Sequence, residues 1–214
     1  MPRIRLKDAA TLAQHAYKAE NIQSPRIVDS LDRDHVQAHL TETGLLLLPG
    51  SNSALDYVHY NLRVFNVGNK KYRMSSTAAA RGASGTLWHQ GFLTYARKVY
   101  DWVGHRKPKL IIGHSLGAAA TQILSKSYDV SGIGFAAPRP KKGGGRVRHD
   151  GKCLSVCRVD DTVCSLPPNF HHLGDARFLE PPENNWGQDH SMKNYRAILE
   201  VNKGPDTVPE TWRY

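Results

Sequence analysis

Short apolar runs alternate along the chain with segments in which apolar residues recur at helical spacing. The runs typical of strands are 36–40, 44–48, 109–112, 133–136, 153–159 and 176–179, with 62–67 as a further candidate. The helical period is seen over residues 8–20, 92–103, 118–124 and 192–199. Strands separated by helices predict an α/β fold with a mostly parallel sheet. Because neither an internal repeat nor a linker divides the chain, we expect one domain over residues 1–214.

Composition and charge narrow the class of protein. The hydrophobic content of 40% and the charged content of 22% are ordinary for a soluble globular chain. No stretch approaches the ~18 apolar residues that a transmembrane segment needs. The first 20 residues lack the apolar core of a signal peptide, so we expect a cytoplasmic protein, or one exported by a non-Sec route.

The basic balance of the chain raises the question of an anionic partner. The formal net charge is +10, which would attract polyanions such as nucleic acid. The charge is dispersed, however, except in residues 139–149, whose composition predicts a mobile, solvated loop. We therefore expect no nucleic-acid partner, while attraction to anionic lipid surfaces stays open. The oligomeric state is not predicted.

Three cysteines, Cys153, Cys157 and Cys164, lie within twelve residues. An odd number without a signal peptide argues against a disulfide framework, and the alternating pattern of 153–159 predicts buried thiols. A zinc site that also uses His171 and His172 is the alternative, but the spacing fits no metal template. We expect no metal and no cofactor.

The candidate chemistry begins at Gly113-His114-Ser115-Leu116-Gly117, between the predicted strand 109–112 and the predicted helix 118–124. A G-x-S-x-G sequence on a strand-to-helix turn is typical of a nucleophile elbow. The glycines permit a tight turn that exposes the serine hydroxyl. The serine also lies at a helix N-terminus, where free N–H groups can stabilise an oxyanion. This setting predicts that Ser115 is a nucleophile, with His114 beside it as structural packing.

A serine nucleophile needs a histidine base and an acid that orients it. On such a sheet the acid and then the histidine follow the serine along the chain. The acids after strand 153–159 are Asp160 and Asp161, and the later histidines are His149, His171, His172 and His190. Order and position favour Asp161 and His190. The pattern alone leaves Asp160 an equal alternative, because an aspartate after a strand usually caps a turn, and leaves His171 and His172 open.

Seven short motifs follow one another along the chain: Leu48-Pro49-Gly50-Ser51, Asp56-Tyr57, Trp88 to Phe92, Ile112 to Ala119, Phe135 to Arg139, Asp161 to Pro168, and His190 to Tyr195. Together they resemble the fungal-type class 3 lipases, which have the α/β-hydrolase fold. The resemblance implies a catalytic triad of Ser115, Asp161 and His190. It also implies an oxyanion hole that uses Ser51 and the backbone N–H of Leu116.

The resemblance further implies a serine carboxylic ester hydrolase, a lipase that acts on acylglycerols or related lipid esters through an acyl-enzyme. The substrate would be met at a lipid–water interface. Residues 53–65 occupy the place of the family's lid, and an ordinary core segment is the equal alternative; the predicted substrate-contacting residues are Leu55, Tyr57, Val58 and Tyr60. Phospholipase A1, a short-chain esterase and a non-catalytic lipase-like binding module are the alternative functions. Pro49 and Cys164 depart from the family pattern, where an arginine and a proline are usual.

Overall fold

The computed structural model describes residues 1–50, 64–181 and 190–214. The helices in these ranges are α1 (Leu6–His15), α2 (Gln90–Val103), α3 (Leu116–Tyr128) and α4 (Met192–Val201). The strands are β1 (Arg3–Arg5), β2 (Ile27–Arg33), β3 (Val36–Thr41), β4 (Leu45–Leu48), β5 (Val64–Val67), β6 (Lys70–Arg73), β7 (Ala79–Arg81), β8 (Leu87–His89), β9 (Leu110–His114), β10 (Ser131–Phe135), β11 (Lys141–Lys142), β12 (Cys153–Arg158), β13 (Phe170–His171), β14 (Asp175–Leu179) and β15 (Thr211–Arg213). Short 3₁₀ helices cover Ala19–Asn21, Asp150–Lys152 and Thr162–Ser165.

A seven-stranded sheet in the order β14-β12-β10-β9-β4-β3-β2 forms the centre of the described part of the chain. The five strands from β14 to β4 are parallel, whereas β3 and β2 add antiparallel strands at one edge. The expected mostly parallel α/β sheet is therefore confirmed. In register, Leu48 at the end of β4 lies beside Gly113, and Phe135 at the end of β10 lies beside His114. The turns that follow β4, β9 and β10 thus meet at one edge of the sheet.

Helices cover both faces of the central sheet, which explains why its parallel strands β4, β9, β10 and β12 are almost completely buried. Side chains alternate between the two faces along a strand. On β4, Leu46 and Leu48 join a core that contains residues of α2 and α3, and Leu45 and Leu47 join a second core that contains residues of α1 and α4. The four leucines are almost completely buried. The helices α1, α2 and α4 each bury one apolar face, as their periodicity predicts, whereas α3 is buried at every position from Leu116 to Ser125.

Most of the predicted elements lie within three residues of their expected ends, but the helix expected over residues 8–20 ends at His15 and the helix expected over 118–124 extends to Tyr128. Three further regions differ. The strand β2 was not predicted, because Asp29, Ser30 and Asp32 interrupt its apolar positions at the solvent-exposed sheet edge. The expected surface excursion over residues 68–85 contains β6 and β7. The candidate strand at 62–67 forms β5, which pairs with β6 in a separate hairpin and does not join the central sheet.

The basic segment 139–149 was expected to be a mobile, solvated loop, and for its first part this expectation is wrong. Lys141 and Lys142 form β11, which pairs with β8 and β13. Lys141 is buried, and its Nζ donates hydrogen bonds to the carbonyl oxygens of Gly143 and Gly145, at 2.6 and 2.7 Å. The glycine-rich turn folds around the ammonium group because a buried cation needs compensating hydrogen bonds. Burial lowers the pKa of Lys141 below its ordinary value.

None of the helices in the described ranges is long and apolar enough to cross a lipid bilayer.

Candidate active site

Ser115 occupies a sharp turn between β9 and α3. Its backbone has φ 55° and ψ −122°, a conformation that residues with side chains rarely adopt. Such a residue typically carries about 1–3 kcal/mol of strain, which the surrounding structure must offset. The N–H of Ser115 donates to the carbonyl of Phe135 at 3.0 Å, and the first turn of α3 begins directly after it. The predicted strand-to-helix elbow is present.

The two glycines of the elbow lie where no side chain has room. A Cβ on Gly117 would overlap the carbonyl oxygen of Leu48, at the end of the neighbouring strand. A Cβ on Gly113 would overlap the hydroxyl of Thr121 and lie 2.6 Å from the carbonyl oxygen of Gly117. The glycines therefore allow α3 to pack directly on the end of β4, which brings the turn after β4 next to the serine.

Ser115, His190 and Asp161 form a continuous hydrogen-bonded series. His190 Nε2 lies 2.6 Å from Ser115 Oγ, and His190 Nδ1 lies 2.8 Å from Asp161 Oδ2. All three side chains are buried. Since a carboxylate can only accept, Nδ1 carries the proton toward Asp161 and the neutral ring leaves Nε2 free to accept from the serine hydroxyl. The tautomer is the one that a general base requires.

Asp161 accepts two further hydrogen bonds that hold its carboxylate in place. The N–H of Val163 donates to Oδ1 at 3.0 Å, and the hydroxyl of Tyr195 donates to Oδ2 at 2.8 Å. Burial by itself would raise the pKa of Asp161, but His190, Tyr195 and the Val163 N–H hold it below its ordinary value. Tyr195 was not singled out from the sequence. In the sequence it is only the last residue of the motif from His190 to Tyr195, on the helix that follows His190.

The alternatives left open by the sequence pattern have other partners. The carboxylate of Asp160 accepts two hydrogen bonds from the Arg158 guanidinium, at 2.9 and 2.8 Å, and both side chains are buried. His172 donates from Nε2 to the carbonyl of Cys164, and His149 pairs with Asp129. His171 lies exposed on β13. The structure thus brings Asp161 and His190 to Ser115.

His114 is buried beside the serine and is kept neutral. Its Nδ1 lies 2.5 Å from the hydroxyl of Tyr17, and its Nε2 lies 2.8 Å from the carbonyl oxygen of His190. Burial, aided by the neighbouring His190, lowers the pKa of His114 to about 3. It packs against His190 with 5.1 Å between the ring centroids.

Of the predicted oxyanion-hole residues, Leu116 is described and Ser51 is not. Leu116 opens α3, where the first backbone N–H groups have no acceptor within the helix. Gly50, directly before Ser51, is buried and approaches the serine, since a Cβ on it would lie 3.1 Å from Ser115 Cβ. Ser51 lies outside the described residues. So do the predicted substrate-contacting residues Leu55, Tyr57, Val58 and Tyr60.

The three cysteines are buried free thiols. Cys164 Sγ lies 3.3 Å from the hydroxyl of Tyr195, behind the acid. Within the ranges that the structure describes, no group of three or more histidine, cysteine or acidic side chains is arranged to hold a metal ion.

Comparison with known proteins identifies the fold. No protein-family model matches the chain, and no curated protein matches it in sequence. Solved structures do match. Lip2 lipase from Yarrowia lipolytica is 16% identical with a TM-score of 0.62, over 90% of each chain. The native propeptide complex of Rhizomucor miehei lipase is 15% identical with a TM-score of 0.58, over 96% of this chain and 81% of that chain.

Lipase II from Rhizopus niveus is also similar, at 13% identity with a TM-score of 0.58, over 87% of this chain and 86% of that chain. The chain therefore has the fold of the fungal-type lipases, an α/β-hydrolase fold, as the resemblance implied.

Proposed function

We propose that this protein is a serine carboxylic ester hydrolase of the lipase type, with Ser115 as nucleophile, His190 as general base and Asp161 as the orienting acid. The proposal depends on one observation, the hydrogen-bonded series from Ser115 Oγ through the His190 ring to Asp161 at a strained elbow. The fold shared with fungal lipases supports it, because the same elbow carries the nucleophile in α/β-hydrolases.

The first half of the reaction forms an acyl-enzyme. His190 Nε2 takes the hydroxyl proton as Ser115 Oγ bonds to the carbonyl carbon of the ester. The resulting imidazolium is stabilised by Asp161, whose low pKa keeps it ionised. When the tetrahedral intermediate collapses, the ester C–O bond breaks and the alcohol leaves with the proton from His190. The elbow geometry supports this step because the hydroxyl already lies 2.6 Å from its base.

The oxyanion of the tetrahedral intermediate needs donors placed before the reaction begins. We assign this role to the N–H of Leu116 and to Ser51, which follows the buried turn at Gly50. One such donor is typically worth about 3 kcal/mol, or 10²–10³ in kcat. Water then attacks the acyl-enzyme by the same steps and releases the acid. No metal or organic cofactor takes part in this scheme.

We propose lipid esters, such as acylglycerols at a lipid–water interface, as the substrate class. The three structural relatives are named as lipases, and the net charge of +10 favours approach to anionic surfaces. Phospholipase A1 and short-chain esterase are the alternative activities, and assays with the substrate of each class would distinguish them from lipase activity. The cytoplasmic location stays a prediction.

Hydrolysis of p-nitrophenyl esters from acetate to palmitate, measured with Ser115→Ala alongside, tests the proposal. Ser127→Ala is a matched control, because that hydroxyl is bonded to the carbonyl of Ile123 within α3. We expect Ser115→Ala to lose about 10⁴-fold or more of kcat and Ser127→Ala to retain activity. A fluorophosphonate probe should label the wild-type protein and not Ser115→Ala. Hydrolysis that survives in a folded Ser115→Ala protein would overturn the assignment of the nucleophile.

A further inference from the structure

Three consecutive hydrogen bonds join the turn after β4 to the backbone of His190. The N–H of Gly50 donates to the hydroxyl of Tyr17 at 2.9 Å. The Tyr17 hydroxyl lies 2.5 Å from His114 Nδ1, and His114 Nε2 lies 2.8 Å from the carbonyl oxygen of His190. Gly50 precedes the predicted oxyanion donor Ser51, and His190 is the proposed base. The series therefore links the two halves of the site through groups that do not react.

The chemistry of the groups determines the direction of every bond in the series. The carbonyl of His190 can only accept, so His114 Nε2 carries the ring proton. His114 Nδ1 is then an acceptor and receives the Tyr17 proton, while the Tyr17 oxygen accepts from Gly50. One ring nitrogen of neutral His114 therefore accepts from Tyr17, and the other donates to His190. Burial keeps His114 neutral by lowering its pKa to about 3. Only one arrangement of protons satisfies the whole series, so the series is suited to holding the distances between its members constant.

A second tyrosine holds the same turn from the opposite face of the sheet. The hydroxyl of Tyr95, on α2, donates toward the carbonyl oxygens of Gln37 and Pro49, at 3.0 and 3.2 Å. Tyr17 lies two residues after α1. The turn at Pro49 and Gly50 is thus bonded through its carbonyl to one helical layer and through its N–H to the other. The position of this turn is therefore set by the packing of both helical layers on the sheet, and not only by the conformation of the loop itself.

We propose that Tyr17 and His114 are positioning residues that keep the turn at Gly50 and the base His190 in register with each other. The inference deepens the proposed function and rests on it. Acyl transfer requires the oxyanion donors and the base to be correctly placed at the same time around one carbonyl group. A misplacement of about 1 Å can cost on the order of 10²-fold in rate. Without Tyr17, Gly50 and His114 each lose a hydrogen-bond partner, and both ends of the series are free to shift.

Tyr17→Phe tests the inference, because it removes one oxygen atom and keeps the ring. We expect kcat for a soluble short-chain p-nitrophenyl ester to fall by about 10- to 100-fold, with KM changed less than about twofold. Tyr128→Phe is the matched control: Tyr128 also carries a buried phenol oxygen, and in the described part of the chain that oxygen has no hydrogen-bond partner. Its kcat and KM should equal those of the wild type.

A pair of variants at His114 separates the two halves of the series. His114→Gln keeps an amide that can donate to His190 but offers no acceptor at the Nδ1 position. His114→Asn places an acceptor near Tyr17 but does not reach His190. We expect both His114 variants to lower kcat. Tyr17→Phe should reduce kcat by a much smaller factor in the His114→Gln background than in the wild type. Equal effects in both backgrounds would mean that the two residues act independently, which overturns the inference.

Melting temperatures and wild-type activity distinguish the possible failures. If Tyr17→Phe melts lower than wild type but has the same kcat per folded molecule, Tyr17 is a packing residue and the inference is wrong. If the wild-type protein hydrolyses no ester and is not labelled by a fluorophosphonate, the proposed function fails, and this inference fails with it. If Tyr17→Phe does not fold, the kcat of His114→Gln decides: a wild-type value overturns the inference, and a reduced value with unchanged KM supports it.

Discussion

Asp160 and Asp161 are neighbours in sequence with different partners, so the exchange of each for asparagine should separate stability from catalysis. Asp160 binds the Arg158 guanidinium through both carboxylate oxygens, at 2.9 and 2.8 Å, and neither side chain is more than 4% exposed. Asp161 binds His190 Nδ1 at 2.8 Å. Asparagine has nearly the shape of aspartate but lacks its charge, so each exchange removes mainly an electrostatic interaction.

For Asp160→Asn we expect a loss of stability. Removal of one partner from a buried ion pair costs about 3–5 kcal/mol. Arg158 makes further contacts, which favours the lower end, about 3 kcal/mol. At about 2–4 °C per kcal/mol for a chain of this size, the melting temperature should fall by roughly 6–12 °C. The kcat of the folded fraction should change less than about threefold, since both carboxylate oxygens of Asp160 bond to Arg158 and it is Asp161 that bonds to the proposed base His190.

For Asp161→Asn we expect the opposite result. An asparagine amide can donate to Nδ1, which moves the ring proton to Nε2 and removes the base that Ser115 needs. This change costs on the order of 10⁴ in kcat when the geometry is otherwise intact. Both variants should be compared by thermal melting and by initial rates at a temperature below both transitions, with enzyme concentration taken from fluorophosphonate titration where labelling occurs. If Asp160→Asn lost about 10³-fold or more in kcat at an unchanged melting temperature while Asp161→Asn stayed active, the reasoning would be refuted.

Three further predictions concern the scaffold. Gly117→Ala should destabilise the protein by about 2 kcal/mol or more in urea denaturation, because the new methyl group would overlap the Leu48 carbonyl. Gly151→Ala is the control: with open space around it, this change should alter stability by less than about 0.5 kcal/mol. Burial lowers the pKa of His89 from 6.5 to about 4, so the unfolded chain binds that proton first. The contribution of His89 to stability should therefore fall between about pH 6.5 and 4 and level off below, and an unchanged pH slope in His89→Gln would contradict this. Lys141→Met should speed tryptic cleavage after Lys142 and Arg146, on either side of the glycine-rich turn, severalfold, because two carbonyls lose their buried donor. An unchanged cleavage rate at these two sites would show that other contacts hold the turn.

Local sequence determined the elements whose pattern is complete within a few residues. The four consecutive leucines of β4 are typical of a strand that is covered on both faces. The spacing of Phe92, Tyr95, Ala96 and Val99 fits one buried helical face, which α2 presents to the sheet. The elbow is likewise local, because its glycines, serine and following helix are contiguous. These features required no knowledge of distant residues.

Tertiary structure decided which distant side chains meet. Ser115 and His190 are 75 residues apart and Asp161 and His190 are 29 apart, so no local periodicity distinguishes His190 from His171 or Asp161 from Asp160. The resemblance to lipases favoured the same residues, but the hydrogen bonds that separate Asp161 from the ion-paired Asp160 exist only in the folded chain. The burial of Lys141 and the hydrogen-bonded series from Gly50 through Tyr17 and His114 likewise exist only in the folded chain.

In each of these cases the environment of a polar group is set by elements from other parts of the chain. A sequence states that a lysine, a tyrosine or a histidine is present but not whether it is buried, since lysine is usually exposed and tyrosine and histidine are intermediate. Only folding removes water from these groups: the packing of α1, α2 and α4 against the sheet does so for the tyrosines and His114, and the glycine-rich turn does so for Lys141. Once water is removed, each must find a protein partner. The apolar pattern therefore determined the scaffold, while the roles of its buried polar residues followed from desolvation on folding.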